Sequence, residues 1–323
     1  MNYRTLGRSG IQVSEIGFGA WGIGGSHKGA IAYGPTIDNE SRKALRKAFD
    51  LGVTFYDTAD LYGYGHSEAL IGQELKSQRH NIMIASKVGM LDHSGGQNFS
   101  VDHIQTSIEK SMRRLQTDYI DLYQLHDPPL HIMEDEAVLG CLSSLKKEGK
   151  VRSLGISVRS PEDALTAIKQ FEFESVQVNF NMLDQRAVEC GVMDLCRNEG
   201  VGIVVRTPLC FGFLAGQLSA ETDFDGQDHR KNWSISQKEC WANAPQLFNL
   251  APESGCQTEA QKALRYCLSY PEVSTVIPGM LSEKEVTENV GASQMGPLQK
   301  TELKRIQDVY KEHTFFLGKT GAN

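Results

Sequence analysis

Apolar residues along this chain come in two alternating forms. One is short runs rich in β-branched and aromatic side chains; the other is longer stretches where apolar positions return every three or four residues. The runs are IGFGA (16–20), VTFYD (53–57), IMIASK (82–87), YIDLYQLH (119–126), VRSLGIS (151–157), SVQVNF (175–180), VGIVVR (201–206) and VSTVIP (273–278). Their near-continuous apolar character predicts eight strands of a parallel sheet covered on both faces.

Helical spacing between them predicts helices over Asn39–Leu51, Ser67–Leu75, Val101–Leu115, Glu134–Lys147, Pro161–Lys169, Ala187–Arg197, Glu259–Leu268 and Glu283–Val290. Stops such as Gly52, Gly149 and Gly200 stand where helices should end. Leu298–Tyr310 reads as one helix more than the eight units need. The opening YRTLGRSGIQVSEIG predicts a β-hairpin turning at Arg8-Ser9-Gly10. Residues 207–256 have weak periodicity and predict a long loop with short helices over one end of the fold.

Eight βα units can close as a barrel or lie open as a doubly wound sheet. An open dinucleotide-binding sheet should carry GxGxxG after its first strand. Here the first run continues as GAWGIGG with no long helix behind it. The expectation is a (β/α)8 barrel forming one domain over residues 1–323, a length such barrels routinely reach.

Composition narrows the function. Apolar residues make up 40% and charged residues 23%, and the net charge is −7. No basic run stands out, so neither nucleic acid nor an anionic membrane is an expected partner. The N-terminus has no signal-peptide core, and the most apolar stretch, 201–218, is interrupted by Arg206, Pro208 and glycines. The seven scattered cysteines lack metal-ligand spacing and read as reduced thiols. The expectation is a cytoplasmic protein without a metal; composition leaves the oligomeric state open.

In a barrel of this kind, chemistry sits at the C-terminal ends of strands. The polar residues there are Asp57 with the following Tyr62, then Lys87, His126, Ser157, Gln177, Asn179 and Arg206. Asp57, Tyr62, Lys87 and His126 suit proton donation to a carbonyl. An ammonium beside a phenol lowers its pKa, a carboxylate keeps that ammonium in place, and an imidazole orients the carbonyl oxygen. Taken singly each has a structural explanation: an ion pair, a loop aromatic, a turn anchor. His66, His93, His103 and His229 stand in polar stretches and read as solvated. Glu68 reads as a helix-start carboxylate. Trp233 and Trp241 read as pocket lining or as pins for the long loop.

GVTFYDTADLYGYGHSEALIG (52–72), SKVG (86–89) and LYQLHDP (122–128) resemble the signature segments of the aldo-keto reductases. The resemblance covers nearly the whole chain and implies NAD(P)H-dependent reduction of a small carbonyl substrate, with Tyr62 as general acid. It implies a cofactor laid across the barrel mouth. Ser157 and Gln177 would hold the carboxamide, and the backbone of Gly19, Ala20 and Trp21 would lie by the nicotinamide ribose, with Trp21 lining the substrate pocket. Thr207, Leu209 and Gly212 would sit along the pyrophosphate, with Glu288 and Asn289 at the adenine. Arg206 stands where many members place a stacking tyrosine, and Val158 where an asparagine is common. Gly279 and Glu285 occupy positions where NADP-preferring members often carry basic residues. NADP(H) is the first expectation and NAD(H) the alternative that Glu285 raises. Arg206 and the polar loop point to a sugar or another polar carbonyl as substrate. A non-catalytic regulatory barrel and a metal-dependent hydrolase are the rival classes.

Overall fold

The computed structural model describes residues 1–26, 32–248 and 258–317. Eight parallel strands run in the order β10-β9-β8-β7-β6-β5-β4-β3. They are β3 (Phe18–Gly19), β4 (Phe55–Asp57), β5 (Met83–Val88), β6 (Ile120–His126), β7 (Val151–Ser157), β8 (Ser175–Asn179), β9 (Gly202–Arg206) and β10 (Val273–Val276). Parallel bridges Ile16–Val276 and Gly19–Gly279 join the first strand to the last, so the sheet closes as a (β/α)8 barrel. The seam is tight. A Cβ on Gly19 would lie 2.6 Å from the Ile277 carbonyl oxygen, which is why glycine stands there. β3 and β10 are shorter than the runs at 16–20 and 273–278.

Helices pack outside the sheet, and their starts follow side-chain caps. In α3 (Val101–Leu115) the Ser100 hydroxyl accepts from the His103 N–H, and Ile104, Ile108, Met112 and Leu115 are buried on one stripe. Ser160, Thr258 and Ser282 form capping boxes at α5 (Pro161–Gln170), α9 (Glu259–Leu268) and α10 (Glu283–Gln294). Glu68, in the first turn of α2 (His66–Leu75), is fully buried. It accepts from Ser86 at 2.6 Å and pairs with Arg114 at 2.7 Å, clamping α2 to β5 and α3. The additional C-terminal helix is α11 (Lys300–Glu312).

The hairpin of β1 (Tyr3–Thr5) and β2 (Gln12–Ser14) covers the N-terminal end of the barrel. Its Leu6, Ile11 and Val13 pack with Phe55, Ala85, Leu122, Val204 and Ile277 in one interior cluster.

Two expectations change. The helix read over Ala187–Arg197 is two, α6 (Arg186–Glu189) and α7 (Val192–Glu199). Gly191, at φ 83°, turns the chain between them. The stretch read as a loop over 207–256 contains a 14-residue helix, α8 (Ile235–Phe248), after short 3-10 turns at Cys210–Ala215 and His229–Asn232. Its buried residues Gln237, Trp241, Ala244 and Phe248 keep helical spacing, but a buried glutamine and the internal Pro245 mask the pattern. The end of that expected loop, 249–256, lies outside the described residues. Among the described residues no helix is long and apolar enough to cross a membrane.

Candidate active site

In a strand, residues i and i+2 share a face. The interior cluster at Phe55, Ala85, Leu122 and Val204 therefore fixes which side chains follow it into the lumen. They are Asp57 on β4, Lys87 on β5, Gln124 and then His126 on β6, and Arg206 ending β9. Strand register aligns His126 with Ser157 and Ser157 with Gln177. Tyr62 arrives from the 3-10 turn Tyr62–Gly65 that follows β4. The next residue, Gly63, sits at φ 59°, and a Cβ there would lie 2.2 Å from the Gly24 carbonyl oxygen.

Lys87 is fully buried and organises the group. Its Nζ donates to Asp57 Oδ1 at 2.5 Å, to the Thr58 carbonyl at 2.8 Å and to Tyr62 Oη at 3.1 Å. Asp57 Oδ2 accepts from Gln177 at 2.8 Å and from Gln124 at 3.3 Å. The His126 ring stands edge-on to Tyr62, with centroids 5.9 Å apart.

Burial opposes the charge on Lys87, but Asp57 and Tyr62 outweigh it and leave the ammonium's pKa above its ordinary value. Burial pushes the Tyr62 phenol upward, while Lys87 pulls it down. The lowering expected from Lys87 is present as a contribution, but burial outweighs it and the net shift is upward. Burial, with the charges of Lys87 and Arg206 behind it, holds the His126 pKa well below the usual imidazole range. At neutral pH the lumen thus holds a protonated phenol and a neutral imidazole.

These groups open onto a cleft of about 700 Å³, within the range of small-molecule and cofactor sites. Gly19, Trp21, Asp57, Tyr62, His126, Ser157, Gln177 and Arg206 line it toward the lumen. Thr207, Leu209, Gly212, Gly279, Glu285, Glu288 and Asn289 line the remainder. Ala20 does not. It is fully buried, its N–H donates to the Asp57 carbonyl at 2.9 Å, and its carbonyl accepts from Ser67 at 2.8 Å. The Thr207 hydroxyl, expected at a phosphate, donates instead to Asn179 Oδ1. Glu285 Oε2 accepts from the backbone N–H groups of Leu281 at 2.6 Å and Ser282 at 3.1 Å, so it also caps α10.

A nicotinamide dinucleotide fits these residues. His126 Nδ1 and Arg206 Nε are buried on the cleft without a partner, the condition of groups kept for a ligand. Asp57 only accepts, so Gln177 presents its NH2 there and keeps its oxygen for a carboxamide. Among the described residues no cluster of three or more His, Cys, Asp or Glu could hold a metal.

Sequence reasoning missed several residues of the site. Gln124, two positions before His126, was within reach of strand periodicity. Tyr33, His93 and Arg230 line the cleft from loops that carry no pattern. His229 is not solvated. It packs against Trp21, Tyr33, Phe211 and Trp233, and burial lowers its pKa to about 4. Trp241 does both things expected of it, lining the cleft and donating its indole N–H to the Phe315 carbonyl at 2.7 Å.

A (β/α)8 barrel with an aspartate, tyrosine, lysine and histidine gathered at the ends of β4 to β6 is the frame of a carbonyl-reducing enzyme. The family model described as Aldo/keto reductase family matches residues 15–311. The uncharacterized oxidoreductase YqkF of Bacillus subtilis is 31% identical over 322 residues, covering 97% of this chain and 99% of its own. The NADH-specific methylglyoxal reductase of Escherichia coli is 28% identical, covering 89% and 92%. The solved holo form of aldo-keto reductase AKR11C1 from Bacillus halodurans superposes with a TM-score of 0.78 at 31% identity, covering 96% of each chain. This chain belongs to the aldo/keto reductase family and is an NAD(P)H-dependent oxidoreductase.

Proposed function

We propose that this chain reduces a polar aldehyde or ketone, such as a sugar, to the alcohol, with Tyr62 as general acid. It does so as one cytoplasmic barrel domain, with the 207–248 segment over the mouth. The observation that carries this reading is Lys87, which donates at once to Asp57 and to the Tyr62 hydroxyl. When bound, the nicotinamide supplies hydride to the carbonyl carbon. Tyr62 gives its proton to the carbonyl oxygen, and the Lys87 ammonium stabilises the phenolate left behind. His126, held neutral by burial, donates a hydrogen bond to the same oxygen and orients it. Ser157 and the free oxygen of Gln177 hold the carboxamide, and Leu209 and Gly212 lie along the pyrophosphate.

Family resemblance alone favours NADP(H); the side chains at α10 favour NAD(H). Glu285 already occupies the backbone donors a 2′-phosphate would want, and Gly279 brings no charge. Mixing the protein with NADH or NADPH and a carbonyl panel, and following loss of nicotinamide absorbance, tests the reading. Turnover is expected. Cofactor binding without turnover of any carbonyl would replace it with a regulatory role.

A further inference from the structure

Two carboxamides meet one carboxylate oxygen in the lumen. Gln177 Nε2 reaches Asp57 Oδ2 at 2.8 Å and Gln124 Nε2 reaches the same atom at 3.3 Å, while Lys87 Nζ takes Oδ1 at 2.5 Å. All four side chains are buried, and they come from four different strands, β8, β6, β4 and β5. The two glutamines are not equivalent. Gln177 lines the cleft and also serves the cofactor in the reading above. Gln124 stands behind the cleft wall, on the strand that carries His126.

Gln124 is not an obvious occupant of that place. Its Oε1 is buried without a hydrogen-bond partner, and an orphaned buried acceptor is destabilising. Leu122, two residues earlier on the same face of β6, sits in the interior cluster, so this strand accepts an apolar side chain there. What the glutamine brings is its NH2, because a carboxylate only accepts. That NH2 anchors Oδ2 and leaves Oδ1 to face Lys87, which in turn donates to the Tyr62 hydroxyl at 3.1 Å. Any turn of the Gln177 amide toward a bound nicotinamide loosens its own hold on Asp57, whereas Gln124 is outside that competition.

We propose that Gln124 is a positioning residue, which holds Asp57 by Oδ2 independently of the cofactor. Asp57 then keeps Lys87, and through it Tyr62, in place for proton donation. This rests on the carbonyl-reduction reading and adds to it a residue outside both the tetrad and the cofactor site.

Gln124→Met keeps the length of the side chain and removes the donor. Its kcat should fall about tenfold or more, with NADH binding followed by tryptophan fluorescence unchanged. Its urea midpoint should hold, because the orphaned acceptor is lost together with the donor. A lowered midpoint with unchanged kcat is the result of a merely structural glutamine and would overturn the proposal. If both fall, the pH profile of Gln124→Glu decides. Where the introduced carboxyl is protonated, it donates to Asp57 Oδ2 in place of the amide; where it ionises, it repels Asp57. Its kcat should approach that of the wild type in acid and fall about tenfold or more as pH rises, a descending limb that wild type and Gln124→Met lack. A Gln124→Glu profile parallel to wild type would end the proposal. If the wild-type protein turns over no carbonyl, the reduction reading fails, and urea unfolding judges the hold on Asp57. Gln124→Met should then raise the midpoint more in an Asp57→Leu, Lys87→Met background, where no carboxylate is left to hold, than in the wild type. Equal changes in both backgrounds would remove that hold.

Discussion

Lys87 donates to the hydroxyl oxygen of Tyr62 over 3.1 Å, so the tyrosine's own proton points away from the lysine and is available to an acceptor in the cleft. Tyr62→Phe should therefore lower carbonyl reduction by about 10²-fold or more, while NADH binding followed by tryptophan fluorescence stays near wild type. Burial raises the Tyr62 pKa, so the phenol stays protonated through neutrality. Wild-type reduction should fall only in the alkaline range, above the ordinary tyrosine value near 10. Wild-type turnover in Tyr62→Phe would remove the phenol from the reaction.

The same lysine also holds a buried carboxylate. Lys87→Met leaves Asp57 in the lumen without a cation and should cost about 3–5 kcal/mol in urea unfolding. The double change Asp57→Asn, Lys87→Met should recover most of that stability and none of the activity. A double variant as unstable as the single one would mean that lost packing, not charge, is responsible.

Glu285→Arg removes the carboxylate that caps α10 and brings a cation to the same place. The ratio of NADPH to NADH affinity should rise about tenfold or more, by the arithmetic of one added charge-assisted contact. Stability should fall by about 0.5–2 kcal/mol through loss of the capping interaction. Calorimetric titration of both cofactors reads the first effect, and a ratio that does not move would take Glu285 out of cofactor choice.

His229 and His126 are both held neutral in the folded protein, with pKa values below the ordinary imidazole value near 6.5. The unfolded chain binds protons there before the folded one does, so stability is full above about pH 6.5 and declines below it. For His229 the decline runs to about pH 4. Chemical denaturation at stepped pH should show a shallower slope over that window in His229→Gln than in the wild type; parallel slopes would mean that carboxylates account for the whole acid limb.

The strand ends were legible because barrel strands are apolar up to the point where they meet the cleft, so Asp57, Lys87 and His126 each stand out against a hydrophobic run. The barrel itself followed from eight such runs and a first loop without a phosphate-binding glycine pattern. Interactions between distant loops were not legible. Tyr33 and Asp228 pair through a backbone bridge, and Arg230 stacks over the Tyr33 ring at 4.6 Å, yet neither segment has a periodicity to announce it. Ala20 is absent from the cleft lining for a related reason. Its position in the segment fits the family pattern, but its side chain is fully buried and its backbone groups are used by Asp57 and Ser67. The break at Gly191 and the helix around Trp241 were hidden because single residues there depend on tertiary packing.

The hairpin that carries Leu6, Ile11 and Val13 turns the barrel into a blind well. With the hairpin packed into the rear of the barrel, the cleft at the other end is the way to Lys87 and Tyr62 that the described residues leave open. The rim is furnished by Trp21, Tyr33, Arg230 and Phe211, none of which touches the tetrad's hydrogen bonds. Side chains of that rim can therefore be exchanged without disturbing the hydrogen bonds at the floor.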